Sequence, residues 1–385
     1  MSPTAAARLA YLALYGSVGA SFPYLAVFYG ERGLSLETIG LLTSLAAAAG
    51  LFAAPVWGAV ADRFAGSRLL LPMAAVAAAA GAAGLSIARG PVAMALAVAA
   101  MSVAFSGLAP TLDARALETV RGNRDRYGGL RAWGSASFIV VVWLTGALIE
   151  RAGATILFAV YITTLLAFAL STIPLRGTVN DLRLPRLTGI AVVLRHPPLA
   201  RFLLAVLLVW SASMGINWYF SVHLLDLGAP GELVGASWAI GAMVEIPIMW
   251  AYPRLAARVG GERLIMIGAA AFALRALTLA VVTDPVLATL TMVIHGVGFS
   301  LVLVGGVTYV ARHAPPAATA TAQGVLSATV FSLALIIGPA VGSWVAATGG
   351  VTTLFAVSAV AGLAAVPLLW LAVGGSASPA LVPEA

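Results

Sequence analysis

The 385-residue sequence contains no cysteine and no lysine, and only 9% of its residues are charged. The absence of cysteine excludes disulfides, thiolate metal sites and a cysteine nucleophile. Soluble domains carry about 25% charged residues. The low charge therefore excludes a soluble enzyme, a disordered chain and a nucleic-acid-binding protein as the main interpretation, because there is too little polar sequence to cover the outer faces of core-packed helices.

Hydrophobic residues make up 61% of the chain, and the mean hydropathy is +1.02. Each bilayer crossing takes about 20 apolar residues, so this length allows about twelve spans joined by short loops. Apolar runs bounded by charged residues, Gly or Pro mark the candidate spans. They are Ala7–Tyr29, Thr38–Val60, Leu69–Ala88, Val92–Glu118, Gly129–Ile149, Ala154–Ile173, Ala200–Leu225, Leu233–Ala251, Leu264–Val282, Pro285–Val310, Ala322–Ala347 and Thr352–Val373. The predicted fold class is an all-α integral membrane protein.

Arginine is distributed unevenly between alternate loops. One set of loops carries Arg63, Arg68, Arg121, Arg124, Arg126, Arg176, Arg183, Arg186, Arg195, Arg201, Arg254, Arg258, Arg263 and Arg312, whereas the opposite loops carry only Arg32, Arg89 and Arg151. By the positive-inside rule the arginine-rich side is cytoplasmic and holds both termini. The expected location is the cytoplasmic (inner) membrane.

The longest polar stretch, Arg176–Arg201, separates six spans from six. We predict an N-terminal six-helix bundle over residues 1–175 and a C-terminal bundle over 200–374. The cytoplasmic linker between them, 176–199, contains a candidate amphipathic helix at Thr188–Arg195. The tail over 375–385 is rich in Ser, Pro and Ala and is expected to be disordered.

The two halves of the sequence resemble each other at three places, each with an offset of about 195 residues, as expected for an internal repeat. The pattern R-x-x-G-x-R occurs at Arg63–Arg68 and Arg258–Arg263, the segment from Gly146 to Phe158 resembles that from Gly342 to Phe355, and Gly19…Gly40 mirrors Gly215…Gly235. Convergent Gly and Ala composition is the alternative explanation. A true repeat predicts two six-span halves related by an axis along the membrane normal, with a solute site between them near the midplane.

The loop after the second span contains Asp62, Arg63, Gly66 and Arg68. It resembles the G-x-x-x-D-R-x-G-R signature of the major facilitator superfamily, with one extra residue before the glycine. An acid at a helix end beside arginines can hold a neighbouring helix in one conformation and release it in another. These four residues are therefore predicted to form a gating loop; the alternative is an ordinary positively charged turn.

A few ionisable residues are predicted inside the spans, where charge is expensive and is usually paired, facing a cavity and functional. In the first half, Asp113 and Arg131 are candidate partners on adjacent spans, either at a functional site or as a helix-end salt bridge. In the second half, Glu245 is the predicted proton carrier, because its neighbours are apolar and a movable cation can exchange with that environment. Arg275 is the predicted movable partner of Glu245. His295 is a candidate relay or solute ligand, or a packing group.

Aromatic and amide residues lie at matching repeat positions in spans one and seven: Tyr24 in the first, Asn217 and Trp218 in the seventh. An uncharged hydrogen-bonding group among rings suits a flat or hydroxylated ligand. Packing or interfacial anchoring is the alternative for each aromatic residue.

Together these residues resemble the lactose permease and phenylpropionate permease branch of the major facilitator superfamily. The resemblance covers nearly the whole chain and rests on Gly19-x-x-Phe-Pro-Tyr24, Leu34-Ser-x-x-x-Ile-Gly40, the charged loop, Pro110-x-x-Asp113 followed by Arg131, and Arg275 followed by His295. It implies that Asp113 and Arg131 bind solute and that Phe138 matches a tryptophan that stacks on sugar. It also implies that Glu245, Arg275 and His295 handle the proton and the solute.

The sequence departs from lactose permease at several of that protein's polar positions. Ala242, Met292 and Gly298 stand where the sugar permease has a carboxylate, a lysine and a proton-carrying glutamate, and Asn217 stands near an aspartate position. The Glu245-Ile-Pro247 segment resembles the phenylpropionate-like relatives, which carry small aromatic acids with protons. Any proton coupling is therefore expected to depend on Glu245.

The predicted function is secondary active transport of a small organic solute, sugar-like or an aromatic acid, by proton symport. Proton-antiport efflux of drugs or metabolites and a non-transporting membrane receptor or scaffold are the alternatives. No enzyme motif or metal-ligand spacing is present in the spans. The expected partners are the solute, protons and membrane lipid, without nucleic acid; the proton gradient is the energy source, no cofactor or metal is expected, and the chain is expected to be a monomer.

Overall fold

The computed structural model describes residues 2–64, 66–120, 124–175, 187–315 and 318–373. Within these ranges the regular secondary structure is helical. The first half contains α1 Pro3–Ser21, α2 Leu25–Glu31, α3 Leu36–Arg63, α4 Leu70–Ile87, α5 Pro91–Phe105, α6 Leu108–Thr119, α7 Arg124–Ala152 and α8 Ile156–Thr172. The second part contains α9 Leu187–Leu194, α10 Pro197–Asp226, α11 Gly231–Val259, α12 Gly261–Val281, α13 Pro285–His313, α14 Thr319–Ala328, a π-helical segment Thr329–Leu333, and α15 Ala334–Val373.

The helices account for all twelve predicted spans. Among the described residues, ten helical segments are long and apolar enough to cross a membrane. Two of them are each divided into two helices, Pro3–Glu31 at residues 22–24 and Pro91–Thr119 at residues 106–107. The 52-residue segment Thr321–Ala372 holds two spans, because Gly350 adopts φ 85° and interrupts the helix. The 17-residue apolar helix Ile156–Thr172 supplies the sixth span.

One predicted boundary is wrong by two turns. The eighth span was expected to end at Ala251, whereas α11 continues to Val259 with Pro247 and Pro253 inside it. Hydropathy marks where the apolar run stops, but the backbone hydrogen-bond ladder continues past that depth into water.

The two halves meet mainly along two helix pairs, α7 with α11 and α3 with α15, and α10 also contacts α2. The contacts lie toward the side where residues 32–35, 153–155 and 227–230 connect helices, which is the arginine-poor side. Here the Tyr219 hydroxyl donates to the Leu36 carbonyl (3.0 Å), and the Ser44 hydroxyl donates to the Ile336 carbonyl (2.7 Å). Toward the arginine-rich side, Gly58 has no heavy atom within 4 Å of the place where a Cβ would stand. The halves are therefore joined near the arginine-poor side.

Helix α9 lies where the sequence predicts a short amphipathic helix. Val193 is fully buried, whereas Val192 and Leu194 are about half exposed, at 49% and 53%. The helix packs on α10 and α14, which both belong to the second half. Residues 176–186 of the predicted linker and the tail 375–385 lie outside the described residues, and the predicted domain boundaries stay predictions.

Candidate functional site

In the first half, three elements bring together a group of polar and aromatic side chains. Helix α1 supplies Tyr11 and Tyr15, α6 supplies Asp113, and α7 supplies Tyr127 and Arg131. The Tyr11 hydroxyl donates to Asp113 Oδ1 over 2.5 Å, and the Tyr127 ring lies edge-on to the Tyr11 ring at 6.5 Å. The Arg131 guanidinium carbon lies 4.3 Å from the centre of the Tyr15 ring, within the range of a cation–π contact. We call these five residues the α1 cluster.

The α1 cluster corrects the expected direct pairing of Asp113 with Arg131. Helix α1 satisfies each group separately, because Tyr11 binds the carboxylate and the Tyr15 ring faces the guanidinium. Within the described residues Arg131 makes no hydrogen bond or ion pair. Asp113 and Arg131 are both half-buried. The two tyrosines of α1 were missed in the sequence, although Tyr11 and Tyr15 are four residues apart and so share a helix face.

In the second half, Arg275 of α12 is almost completely buried, with 1% of its surface exposed. Its Nη1 donates to Asn217 Oδ1 over 2.6 Å and lies 3.2 Å from His295 Nδ1. Its Nη2 lies 3.3 Å from the Met292 sulfur, and the Phe220 ring centre is 4.9 Å from the guanidinium carbon. Arginine only donates, so His295 Nδ1 accepts and a neutral ring carries its proton on Nε2. We call these five residues the Arg275 cluster.

The buried guanidinium lacks an anionic partner among the residues the structure describes. Its hydrogen-bond partners are an amide, an imidazole and a thioether, and its Nε has none. A buried charge without a counter-ion is costly. Met292, which stands where the sugar permease has a lysine, contacts the arginine directly and was not predicted to do so.

Glu245 on α11 is half-buried, and its carboxylate makes no hydrogen bond or ion pair within the described ranges. Only its backbone carbonyl is bonded, accepting from the Ser300 hydroxyl at 3.3 Å. The structure therefore does not show the predicted contact between Glu245 and Arg275. Gly241, one turn earlier on the same face, contacts Met292, so Glu245 lies on the side of α11 that packs against α13.

Three other predicted solute ligands occupy packing positions. Tyr24 is 1% exposed, and its hydroxyl donates to the Val142 carbonyl over 2.6 Å. Trp218 is buried and lies edge-on to Phe22 with ring centres 5.4 Å apart. Phe138 is half-buried, and its backbone carbonyl faces Gly19. Asn217 differs from these three because its amide oxygen bonds Arg275; a binding role for any of the four stays a prediction.

The predicted gating loop is only partly described, because the Asp62 side chain lies outside the described part of the structure. Arg63 and Arg68 are exposed, and the Arg63 guanidinium carbon lies 6.0 Å from the Phe64 ring centre. Gly66 has no heavy atom near its Cβ position. The gating role therefore stays a prediction.

A residue that the sequence did not assign to this loop holds it in place. Arg115 of α6 is 2% exposed, and its Nη2 donates to the Ser67 carbonyl over 2.9 Å. Its Nη1 donates to the Leu175 carbonyl over 3.0 Å, beyond the end of α8. One arginine thus ties the loop after α3 to the fourth and sixth spans.

Comparison with known proteins agrees with this architecture. The sequence profile described as "MFS_1 like family" matches residues 6–357. The chain belongs to the MFS_1-like family. It is similar to the maltose permease of Geobacillus stearothermophilus, with 30% identity over 87% of this chain and 84% of that protein. It is also similar to the probable 3-phenylpropionic acid transporter of Escherichia coli (strain K12), with 26% identity over 68% of this chain and 70% of that one.

Solved structures share the fold at low sequence identity. The nucleoside transporter NupG superposes with a TM-score of 0.84 at 18% identity, covering 97% of this chain and 99% of NupG. A bacterial homologue of the human lysosomal transporter Spinster, in an inward-facing occupied conformation, superposes with a TM-score of 0.78 at 13% identity, covering 98% of each chain. The predicted major facilitator fold is confirmed, and the MFS_1-like chain is an integral membrane transporter of small solutes.

Proposed function

We propose that this protein is a proton symporter that moves a small organic solute across the inner membrane by alternating access. The arginine-rich side is taken as cytoplasmic on the positive-inside rule. Because the halves are joined near the arginine-poor side, the structure then corresponds to a state open to the cytoplasm. The α1 cluster belongs to the first half and the Arg275 cluster to the second, and a solute site between the halves requires residues from both.

A sugar-like solute is the first candidate, and the α1 cluster is its proposed binding site. A carboxylate, a guanidinium without a hydrogen-bond partner among the described residues, and three tyrosine rings lie together there. Such a set can accept and donate hydrogen bonds to ring hydroxyls while an aromatic face packs on the sugar. The similarity to a protein named maltose permease supports this candidate.

A small aromatic carboxylate is the second candidate, and the Arg275 cluster is its proposed binding site. Arg275 is buried without an acid beside it. A solute carboxylate would supply the missing charge, and Phe220 provides an aromatic surface at the same place. The similarity to a probable 3-phenylpropionic acid transporter supports this candidate.

Glu245 is the proposed proton carrier, and the linkage is clearest for a solute bound at Arg275. Among the described residues 187–315 and 318–373, Glu245 and Arg275 are the charged groups that lie more than five residues from either end of their helix. An ionised Glu245 balances Arg275 in total charge, and a protonated one leaves the arginine charge in excess. Proton binding at Glu245 and the binding of a hydrogen-bonding or anionic solute at Arg275 are thereby linked, since each changes the binding free energy of the other.

The test is accumulation in proteoliposomes with an imposed pH gradient, using labelled maltose and 3-phenylpropionate as separate solutes. Glu245→Gln is expected to abolish gradient-driven accumulation and to leave solute exchange intact. Glu37→Gln, an exposed acid in the first turn of α3, is the matched control and should accumulate normally. Accumulation that survives Glu245→Gln contradicts the assignment of the proton carrier.

The same vesicles separate the two solutes and the alternatives. Arg131→Gln should abolish uptake of the sugar, and Arg275→Gln should abolish uptake of the carboxylate. Accumulation only when the gradient is reversed would indicate antiport efflux instead of symport. Absence of flux for both solutes in a well-folded preparation contradicts both solute candidates.

A further inference from the structure

Helix α11 begins at the arginine-poor side without a capping side chain of its own. Its N-cap is Pro230, which makes no side-chain hydrogen bond to the helix. The first N–H groups of a helix need acceptors and carry the positive end of its dipole. The Gly231 N–H receives one from the other half of the protein, because it donates to Glu150 Oε2 over 2.5 Å. Glu150 lies near the end of α7.

Three glycines bring these two helix ends within reach. A Cβ on Gly231 would stand 2.5 Å from the Gly146 carbonyl, and a Cβ on Gly235 would stand 2.8 Å from the Trp143 Cα. The backbones of α7 and α11 are therefore in contact at this level. A larger residue at either position would move the N-terminus of α11 away from the Glu150 carboxylate.

Among the described hydrogen bonds that cross between the halves, only the one from Gly231 to Glu150 involves a charged side chain. The bonds from Tyr219 to Leu36 and from Ser44 to Ile336 join a hydroxyl to a carbonyl. Hydrogen bonds to an ionised group are roughly twice as strong as neutral ones. Among the described hydrogen bonds between the halves, the one to Glu150 is therefore expected to be the strongest.

We propose that Glu150 is a latch that holds the arginine-poor side closed and thereby sets the balance between the two access states of the transport cycle. It is a positioning residue, because it acts through α11 and not on the solute. Opening this side separates α7 from α11 and breaks the hydrogen bond between Glu150 and the Gly231 N–H. Weakening the latch shifts the population toward the state open on the arginine-poor side.

A matched control lies on the same side of the molecule. Helix α8 also lacks its own side-chain cap, and the Glu31 carboxylate accepts from the Ala154 N–H over 2.9 and 3.0 Å. Glu31 and α8 belong to the same half, so this cap does not cross the interface. Both acids are exposed, and both accept from a backbone N–H at the start of a helix, Gly231 at the first residue of α11 and Ala154 just before the N-cap of α8. They differ in whether the contact joins the halves.

The absence of cysteine allows a single reporter of opening. Ser343 of α15 is 3% exposed and lies against Gly40 of α3, in the second pair of helices that joins the halves. Ser343→Cys is nearly isosteric, and maleimide labelling of the purified protein would measure how often this contact opens. The reporter is remote in sequence from Glu150, and labelling needs no solute, so the result does not depend on solute identity or on proton coupling.

In the Ser343→Cys background, Glu150→Gln is expected to raise the labelling rate by about threefold to tenfold, as loss of one charge-assisted hydrogen bond predicts. Glu150→Ala should raise it further, and Glu31→Gln should leave it unchanged. Thermal unfolding of each variant reports folding separately. An unchanged rate in both Glu150 variants, or an equal rise in Glu31→Gln, would overturn the proposal, because the latter would mean that any lost helix cap loosens the protein.

Discussion

The guanidinium of Arg275 donates a 2.6 Å hydrogen bond to the amide oxygen of Asn217, and both side chains are buried. This neutral acceptor stands near the position where the sugar permease has an aspartate. The substitution of an amide for an acid leaves a buried cation whose described partners are all uncharged. The contact is the basis for the proposal that a ligand at Arg275 brings negative charge or strong acceptors.

Asn217→Asp is expected to give Arg275 a counter-ion. The variant should unfold at a higher temperature, because the new carboxylate forms an ion pair with the Arg275 guanidinium. It should also lose binding of aromatic carboxylates, which would otherwise bind the same guanidinium. Ligand-induced thermal shifts with 3-phenylpropionate check this. Asn217→Leu is the control that removes the acceptor without adding charge, and it should lower stability instead. Retained carboxylate binding in Asn217→Asp contradicts the expectation.

Arg131→Lys is expected to raise the KM of uptake by about tenfold or more with folding unchanged. Lysine keeps the charge but loses the planar donor set that stacks on Tyr15 and can bind a ligand through two parallel bonds. Initial uptake rates over a range of solute concentrations measure it. Arg89→Lys, at an exposed position just after α4, should leave KM unchanged.

Arg115→Ala is expected to lower the free energy of unfolding by about 3 kcal/mol, since two hydrogen bonds from a charged donor are lost and the Ser67 and Leu175 carbonyls lose their partner. Chemical unfolding of the detergent-solubilised protein measures the change. Arg68→Ala should fall within about 0.5 kcal/mol of the parent, as exposed substitutions do. Equal effects of the two variants would show that the Arg115 contacts do not stabilise the fold.

Gly235→Ala is expected to destabilise the closed arginine-poor side. The new methyl group would stand 2.8 Å from backbone atoms of α7, which cannot move independently of the helix. A cost of about 1–3 kcal/mol is typical of overpacking, and it should appear as faster labelling at a Ser343→Cys reporter. Gly324→Ala is the control, because a Cβ there meets no atom within 4 Å. It should leave labelling unchanged.

The positions of the spans could be predicted because they depend on local composition. Hydropathy located every span to within a few residues, apart from the end of α11, where the helix outlasts the apolar run. The breaks within spans one and four were harder to predict, since they depend on how the backbone bends around Pro23 and Gly107. The polar residues inside the spans could also be identified from the sequence, because few polar side chains are tolerated in lipid.

The partners of those polar residues could not be predicted. Asp113 was expected to bind Arg131, yet it accepts from Tyr11 of a helix about 100 positions away. Arg275 was expected near Glu245, yet it binds Asn217. Several helix faces compete for each charged side chain, and only the packing angles decide which one is within hydrogen-bond distance.

The sequence by itself determined that the chain is an all-α membrane protein with a few charged residues inside its spans, because hydrophobicity is a property of the chain alone. Only the tertiary structure decided that Tyr11 and Tyr15 complete the first-half cluster, that Arg115 holds the charged loop, and that Glu150 caps a helix of the opposite half. These contacts join residues far apart in sequence. Their formation depends on the distance between helix backbones, which glycines at the interface set and which no local pattern encodes.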